Sequence, residues 1–199
     1  MPRPTIRRIC VFCGSRPGNR PEYVDAARRL GSLLAERGIG LVYGGASVGI
    51  MGAVADATLR GGGEVIGVIP QALVRAEVAH DHLTDLRVVA SMHERKALMA
   101  ELSDGVIALP GGFGTFEELF ETLTWSQLGI HDKAFGVLNI GGFYDGLLAL
   151  VDHAVTEGFI PEQHRALVLE ASEPEAMLDL LMGYEPPPPV VKWLKPSET

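Results

Sequence analysis

The chain is poor in cysteine, in aromatic residues and in positive charge. Its 199 residues include 2 cysteines and 7% aromatics, and 17 Lys and Arg stand against 25 Asp and Glu, for a formal net charge of −8. A deficit of basic residues removes the broad electrostatic footprint that holds a nucleic-acid polymer. It leaves room for a small anion gripped by local cations and backbone amides. No apolar run reaches the roughly 20 residues needed to span a bilayer, and no secretory apolar segment stands apart from the first expected strand, so the chain reads as cytoplasmic with no membrane partner. Cys10 and Cys13 form a C-x-x-C within Ile9-Cys10-Val11-Phe12-Cys13. On a strand these two side chains point to opposite faces, which denies them a shared disulfide or metal, and no second cysteine pair completes a zinc site. They read as buried, inert thiols. His80, His82, His93, His131, His153 and His164 show no paired ligand spacing and read as surface or rim residues. Neither a metal nor a cofactor is expected. Also missing are the G-x-G-x-x-G fingerprint after the first strand and a Gly-Lys-Ser/Thr loop, which argues against a nicotinamide dehydrogenase or an NTPase.

What the chain does contain is 47% hydrophobic residues and 24 glycines, enough for one well-buried domain. That domain is expected over residues 1–184, followed by a proline-rich tail, 185–199, whose run Pro186 to Pro189 should be extended. Apolar runs alternate with amphipathic segments. Strands are expected at Ile6 to Phe12, Gly40 to Tyr43, Glu64 to Ile69, Leu86 to Val89, Gly105 to Leu109, Ala134 to Leu138 and Ala166 to Leu169. Helices are expected at Pro21 to Arg37, Val48 to Arg60, Ser91 to Leu102, Thr115 to Leu128, Tyr144 to Glu157 and Pro174 to Met182. The rhythm implies a single α/β domain with a Rossmann-like, doubly wound parallel sheet and helices on both faces. Ligands in such folds bind beyond the carboxyl ends of the strands, where the strand order reverses.

Three glycine-rich turns occupy that edge: Gly14-Ser15 after the first strand, Gly44-Gly45 after the second, and Pro110-Gly-Gly-Phe-Gly-Thr-Phe-Glu-Glu118 after the fifth. In the last, Gly111, Gly112 and Gly114 allow a sharp turn and a close backbone approach, and Thr115 can cap a helix whose first N–H groups favour an anion. Glu117 and Glu118 follow at once. Thr115 to Glu118 also fits a capping box, in which the glutamate only reaches back to the N-cap amide. Gly49 and Gly52 read as permitting close helix packing. A second capping box, Ser91 with Glu94, opens the helix carrying Arg95 and Lys96. On its wheel Met92, Met99 and Leu102 mark the inward stripe, Arg95 projects inside it and Lys96 lies on its edge. An inward guanidinium needs either a core carboxylate or an anionic ligand. The helix after the glycine turn has one apolar face, Phe116, Leu119, Phe120 and Leu123, and a second mixing Glu118, Glu121, Trp125 and Leu128. That second face has the character of a subunit interface bordering a site.

Met92-His93-Glu94-Arg95-Lys96, then Pro110 to Glu118, then Thr124-Trp125-Ser126-Gln127-Leu128-Gly129-Ile130-His131, resemble the Lonely Guy (LOG) family of cytokinin-activating nucleotide phosphoribohydrolases, formerly labelled lysine decarboxylases. The resemblance runs through nearly the whole chain, from Val11-Phe12-Cys13-Gly14-Ser15 to Gly141-Gly142-Phe143-Tyr144. It implies hydrolysis of the N-glycosidic bond of adenosine 5'-monophosphate or an N6-substituted form, releasing the base and ribose 5-phosphate, in a homodimer with sites near the interface. It assigns catalysis to Arg95 and Glu118, and nucleotide binding to Glu77, Lys96, Gly111, Gly112, Gly114, Thr115, Glu117 and Thr124. Gly14, Ser15 and Gly45 join the binding set from the other two turns. The chemistry agrees with these residue types: cleavage builds positive charge on the sugar and negative charge on the leaving base, which suits a carboxylate and a guanidinium. Three other readings stay open at this point: a pyridoxal-phosphate decarboxylase with Lys96 as the Schiff-base lysine, a non-catalytic nucleotide or cofactor carrier, and an interaction module built on the proline tail.

Overall fold

A computed structural model describes residues 6–74 and 79–187. Glu77 and most of the proline-rich tail, Trp193 included, lie outside the described residues. Among the described residues the strands are β1 (Arg8–Phe12), β2 (Gly40–Tyr43), β3 (Val65–Pro70), β4 (Asp85–Val89), β5 (Gly105–Ala108), β6 (Ala134–Leu138) and β7 (Leu169–Ala171). They form one sheet in the order β4-β3-β2-β1-β5-β6-β7. Every neighbouring pair is parallel. The helices are α1 (Pro21–Glu36), α2 (Gly49–Arg60), α3 (Met92–Glu101), α4 (Phe113–Gln127), α5 (Asp145–Thr156), α6 (Glu162–Arg165) and α7 (Pro174–Gly183). The doubly wound architecture expected from the alternation is present, and the order reverses between β1 and β5.

The period-2 alternation of β1 divides the core. Ile9, Val11 and Cys13 face Leu30 and Leu34 of α1, Val54 of α2 and Leu178 of α7. Cys10 and Phe12 face Met99 of α3, Leu119 of α4 and Leu148 of α5. The strands that make both faces are near-continuous apolar runs, as burial from two sides requires.

Local chemistry sets several boundaries differently from the sequence reading. The seventh strand begins at Leu169, because the amides of Leu167 and Val168 are spent on turns to His164 and Arg165 after the one-turn α6. Gly49 and Gly52 do not serve helix packing. Gly49 has φ 60°, and a Cβ there would lie 2.4 Å from the Ser15 carbonyl, while a Cβ on Gly52 would lie 2.2 Å from the Ser47 carbonyl. The close helix approach is made by Gly31 of α1, where a Cβ would come within 2.4 Å of the Val54 carbonyl of α2.

Candidate active site

At the reversal between β1 and β5 the chain leaves one strand toward α1 and the other toward α4, and the two loops are laced together. The Gly14 amide donates to the Pro110 carbonyl at 3.1 Å, and the Gly14 carbonyl accepts from Ile50 and Met51 at 3.2 and 3.4 Å. The first amides of α2 are thereby satisfied by the loop after β1. A Cβ on Gly14 would sit 3.3 Å from the Gly111 Cα, and one on Gly111 would sit 2.1 Å from the Thr115 hydroxyl. Only glycine permits this approach. Between these loops opens a pocket of ≈ 360 Å³ lined by Gly14, Ser15, Tyr23, Gly111, Gly112 and Phe143, among others.

The α4 start differs from the expected one. Gly112 is the N-cap, no side chain caps the helix, and Thr115 is buried within its first turn. The capping box from Thr115 to Glu118 does not form. The glycines let the helix start two residues early, which leaves its first N–H groups at the crevice and turns Glu118 toward α3. In α3 the other capping arrangement is present: Ser91 Oγ accepts from Glu94 N at 3.1 Å, and Glu94 Oε2 accepts from Ala90 N at 2.8 Å.

That cap orients Arg95, 5% exposed, toward Glu118, 7% exposed. Arg95 Nη1 lies 3.7 Å from Glu118 Oε1, its Nε donates to the Val68 carbonyl at 3.1 Å, and Nη1 approaches Met92 Sδ at 3.8 Å. Met92 itself is exposed rather than inward. Gly44, beyond β2, makes space for the guanidinium: a Cβ there would meet Arg95 Nη2 at 2.2 Å. Lys96, also buried, donates from Nζ to Glu117 Oε1 at 2.5 Å and Glu121 Oε1 at 2.9 Å. Burial alone would lower its pKa, but the two carboxylate hydrogen bonds outweigh it and hold the ammonium above its ordinary value. The Cys10 and Cys13 thiols are pushed well up, first by burial and then by the nearby Glu118 charge.

The arrangement has relatives. The family described as "Possible lysine decarboxylase" matches residues 51–181. The probable cytokinin riboside 5'-monophosphate phosphoribohydrolase LOGL9 of Oryza sativa subsp. japonica is 53% identical over 181 residues, covering 91% of this chain and 80% of its own. The chain belongs to the LOG family. Its relatives also include the cytokinin riboside 5'-monophosphate phosphoribohydrolases LOG of the same plant, 52% identical over 92% of this chain and 76% of that protein, and LOG2 of Arabidopsis thaliana, 51% identical over 91% and 85%. Among solved structures, the molybdenum cofactor carrier protein of Chlamydomonas reinhardtii superposes with a TM-score of 0.68 at 21% identity, covering 90% of this chain and 100% of that one. TM1055 does so with 0.67 at 20%, covering 89% and 99%. These two likenesses concern the fold.

In this LOG chain the residues singled out in sequence do not all converge. Gly14, Ser15, Gly111 and Gly112 line the crevice, with Gly114 and Thr115 in the first turn of α4. Arg95, Lys96, Glu117 and Glu118 form two adjacent ion-pair groups on its α3–α4 side. Gly45, at φ 82°, is buried against Ile69 and Leu86, and its carbonyl accepts from the His80 amide. Thr124 lies farther along α4, exposed, with its hydroxyl donating back to the Phe120 carbonyl at 2.7 Å. His80 is not a rim residue: it is buried, with Nε2 3.0 Å from Asp56 Oδ1 and Nδ1 accepting from His82 N. The sequence reading places Gly44 in a glycine turn at the binding edge and Tyr144 at a helix start, but foresees neither the space Gly44 leaves for Arg95 nor the contact of Tyr144. The Tyr144 hydroxyl donates to the Leu109 carbonyl at 2.6 Å and so fastens α5 to the residue before the glycine turn. A tyrosine in the expected helix start carried no signal of that contact.

Proposed function

We propose that this protein hydrolyses the N-glycosidic bond of adenosine 5'-monophosphate or of an N6-substituted adenosine monophosphate, giving the free base and ribose 5-phosphate. The observation that carries this reading is the buried Arg95–Glu118 pair, 3.7 Å apart and set beside the uncapped start of α4, in a chain about half identical to named phosphoribohydrolases. In the reaction the C1'–N9 bond breaks, the hydroxyl of water joins C1', and the base leaves with a proton on nitrogen. Glu118 stabilises the cationic sugar or activates the water, and Arg95 opposes the negative charge on the purine or the phosphate.

The 5'-phosphate is held by the amides of Gly112, Gly114 and Thr115 and by the Gly14-Ser15 loop, with Gly111 admitting the close approach. This makes the monophosphate a better substrate than the nucleoside. The family resemblance adds Glu77 and Thr124 to the nucleotide contacts; Lys96 and Glu117, which it also assigns there, are paired with each other, and Gly45, drawn from the turn after β2, is buried against Ile69 and Leu86. The working unit is a homodimer in the cytoplasm, formed by the domain of residues 1–184 with 185–199 as an appended tail. Among the described residues no helix is long and apolar enough to cross a membrane. A Schiff-base decarboxylase fits poorly, because Lys96 is held charged by two carboxylates. Lys133 stands before the amino end of β6, at the sheet edge opposite the glycine turns.

The test is chromatographic detection of free base after incubation with AMP and with isopentenyl-AMP. Release by the wild type, abolished in Glu118→Gln and in Arg95→Ala with the fold intact, is the expected result, and the ratio of the two rates identifies the preferred base. A folded wild type that releases no base from either nucleotide sinks the reading and leaves a binding-only protein.

A further inference from the structure

Arg95 and Glu118 sit on different helices, and those helices meet through side chains rather than through close backbone approach. Between them lies a cavity of only ≈ 10 Å³, lined by Lys96, Ala100, Glu121, Thr122 and Trp125 among others. Met99 of α3 and Leu119 of α4 anchor each helix in the core over the sheet, while the helices are joined to each other directly by ion pairs. The separation of the two reacting groups therefore depends on those direct ties as well as on the core.

The adjacent ion cluster has the right position to set that separation. Lys96 follows Arg95 directly on α3, and Glu117 precedes Glu118 directly on α4. Lys96 Nζ bridges Glu117 and Glu121, which stand one turn apart on α4. Two like charges at that spacing repel across the helix surface unless a cation lies between them. The lysine side chain is only 8% exposed, and Glu121 is the more sheltered of its two partners, at 26% against 54% for Glu117. A buried ammonium with two carboxylates converging on it is a directional tie. Lys96 is therefore already spent on protein carboxylates where a phosphate-binding lysine would be open to the crevice.

We propose that Glu121, acting through Lys96, is a positioning residue: the Glu117–Lys96–Glu121 bridge locks α3 to α4 in one register and thereby sets the Arg95–Glu118 separation. The claim rests on the assignment of Arg95 and Glu118 made above. It makes Glu121 part of the working site although Glu121 touches no substrate.

The test is a double-mutant cycle of Lys96→Met and Glu121→Gln, with kcat and KM for AMP measured for each single variant and for the pair. AMP binding is followed by calorimetry in a Glu118→Gln background, and amide hydrogen exchange of α3 is measured in all variants. Each single change is expected to lower kcat roughly 10–100-fold through misplacement of the reacting pair. The AMP dissociation constant should stay within about twofold, and the double variant should be no worse than the more severe single one. Exchange in α3 should quicken in every variant, and the shorter Glu121→Asp should fall between wild type and Glu121→Gln. If Lys96→Met weakens AMP binding more than about tenfold while Glu121→Gln does not, Lys96 is a phosphate ligand and the proposal is overturned. Unchanged kcat together with unchanged α3 exchange in Glu121→Gln overturns it as well. Should the wild type release no base at all, the hydrolase reading falls by itself, and α3 exchange alone then decides the lock.

Discussion

Gly44 separates catalysis from stability at a single position. An added Cβ would meet the tip of Arg95 at 2.2 Å and Met51 Sδ at 3.3 Å, both movable side-chain ends rather than backbone. Gly44→Ala is therefore expected to cost no more than about 1 kcal/mol of folding stability. The guanidinium has to vacate its place beside Glu118, so turnover should fall roughly 10–100-fold. Thermal melting read beside base release checks the pair of statements, and a stable, fully active variant would mean that Arg95 need not stand where it does. At this scale the sequence singled out two groups that the fold brings together and was silent about what holds them. Arg95 and Glu118 announce themselves through motif and helical phase. Gly44 and Tyr144 act through contacts between segments far apart in the chain, and neither a glycine turn nor a tyrosine at a helix start says which distant side chain or carbonyl it will meet.

Among elements, α1 and α2 make the closest helix contact of the fold, through Gly31. A Cβ there would lie 2.4 Å from one backbone carbonyl and 3.0 Å from the Thr58 amide nitrogen, neither of which can rotate away. Gly31→Ala gains about 1 kcal/mol of helix propensity but must push α1 off α2, so a net loss of about 1–2 kcal/mol is expected in denaturant unfolding. Strands and long helices were legible because burial from two sides writes continuous apolar runs and amphipathic periods write helices. The ends were less so. α4 starts at Phe113 rather than Thr115 because glycine N-caps it, a choice that Thr115 and its following glutamates obscure. The short α6 and the late start of β7 depend on turn hydrogen bonds at Leu167 and Val168 that no periodicity encodes.

For the whole molecule, acid should act through His131. Burial, then the charge of Lys133, depress its pKa from 6.5 to about 4, against smaller upward pulls from Asp132 and a hydrogen bond to the Thr122 backbone. The folded state thus favours the neutral ring, while the unfolded chain takes up its proton near the ordinary value. The stabilising contribution is complete above pH 6.5 and is lost as pH falls toward 4. A melting series across that interval should show a downward slope that Glu and Asp titration extends below it, and His131→Gln should flatten the upper part. An unaltered slope in the variant would assign the acid sensitivity to other groups.

The same molecule carries its own clock for global opening. Its two thiols, Cys10 on the central strand β1 and Cys13 one residue beyond its end, are both buried, one on each side of the sheet. Their ionised forms are disfavoured by burial and by a neighbouring carboxylate. A soluble alkylating reagent therefore finds no target until that strand parts from its neighbours. Modification should proceed at the rate of the rarest opening rather than of loop fraying, with both sulfurs appearing in step, and it should slow further when a nucleotide ties the two central loops together.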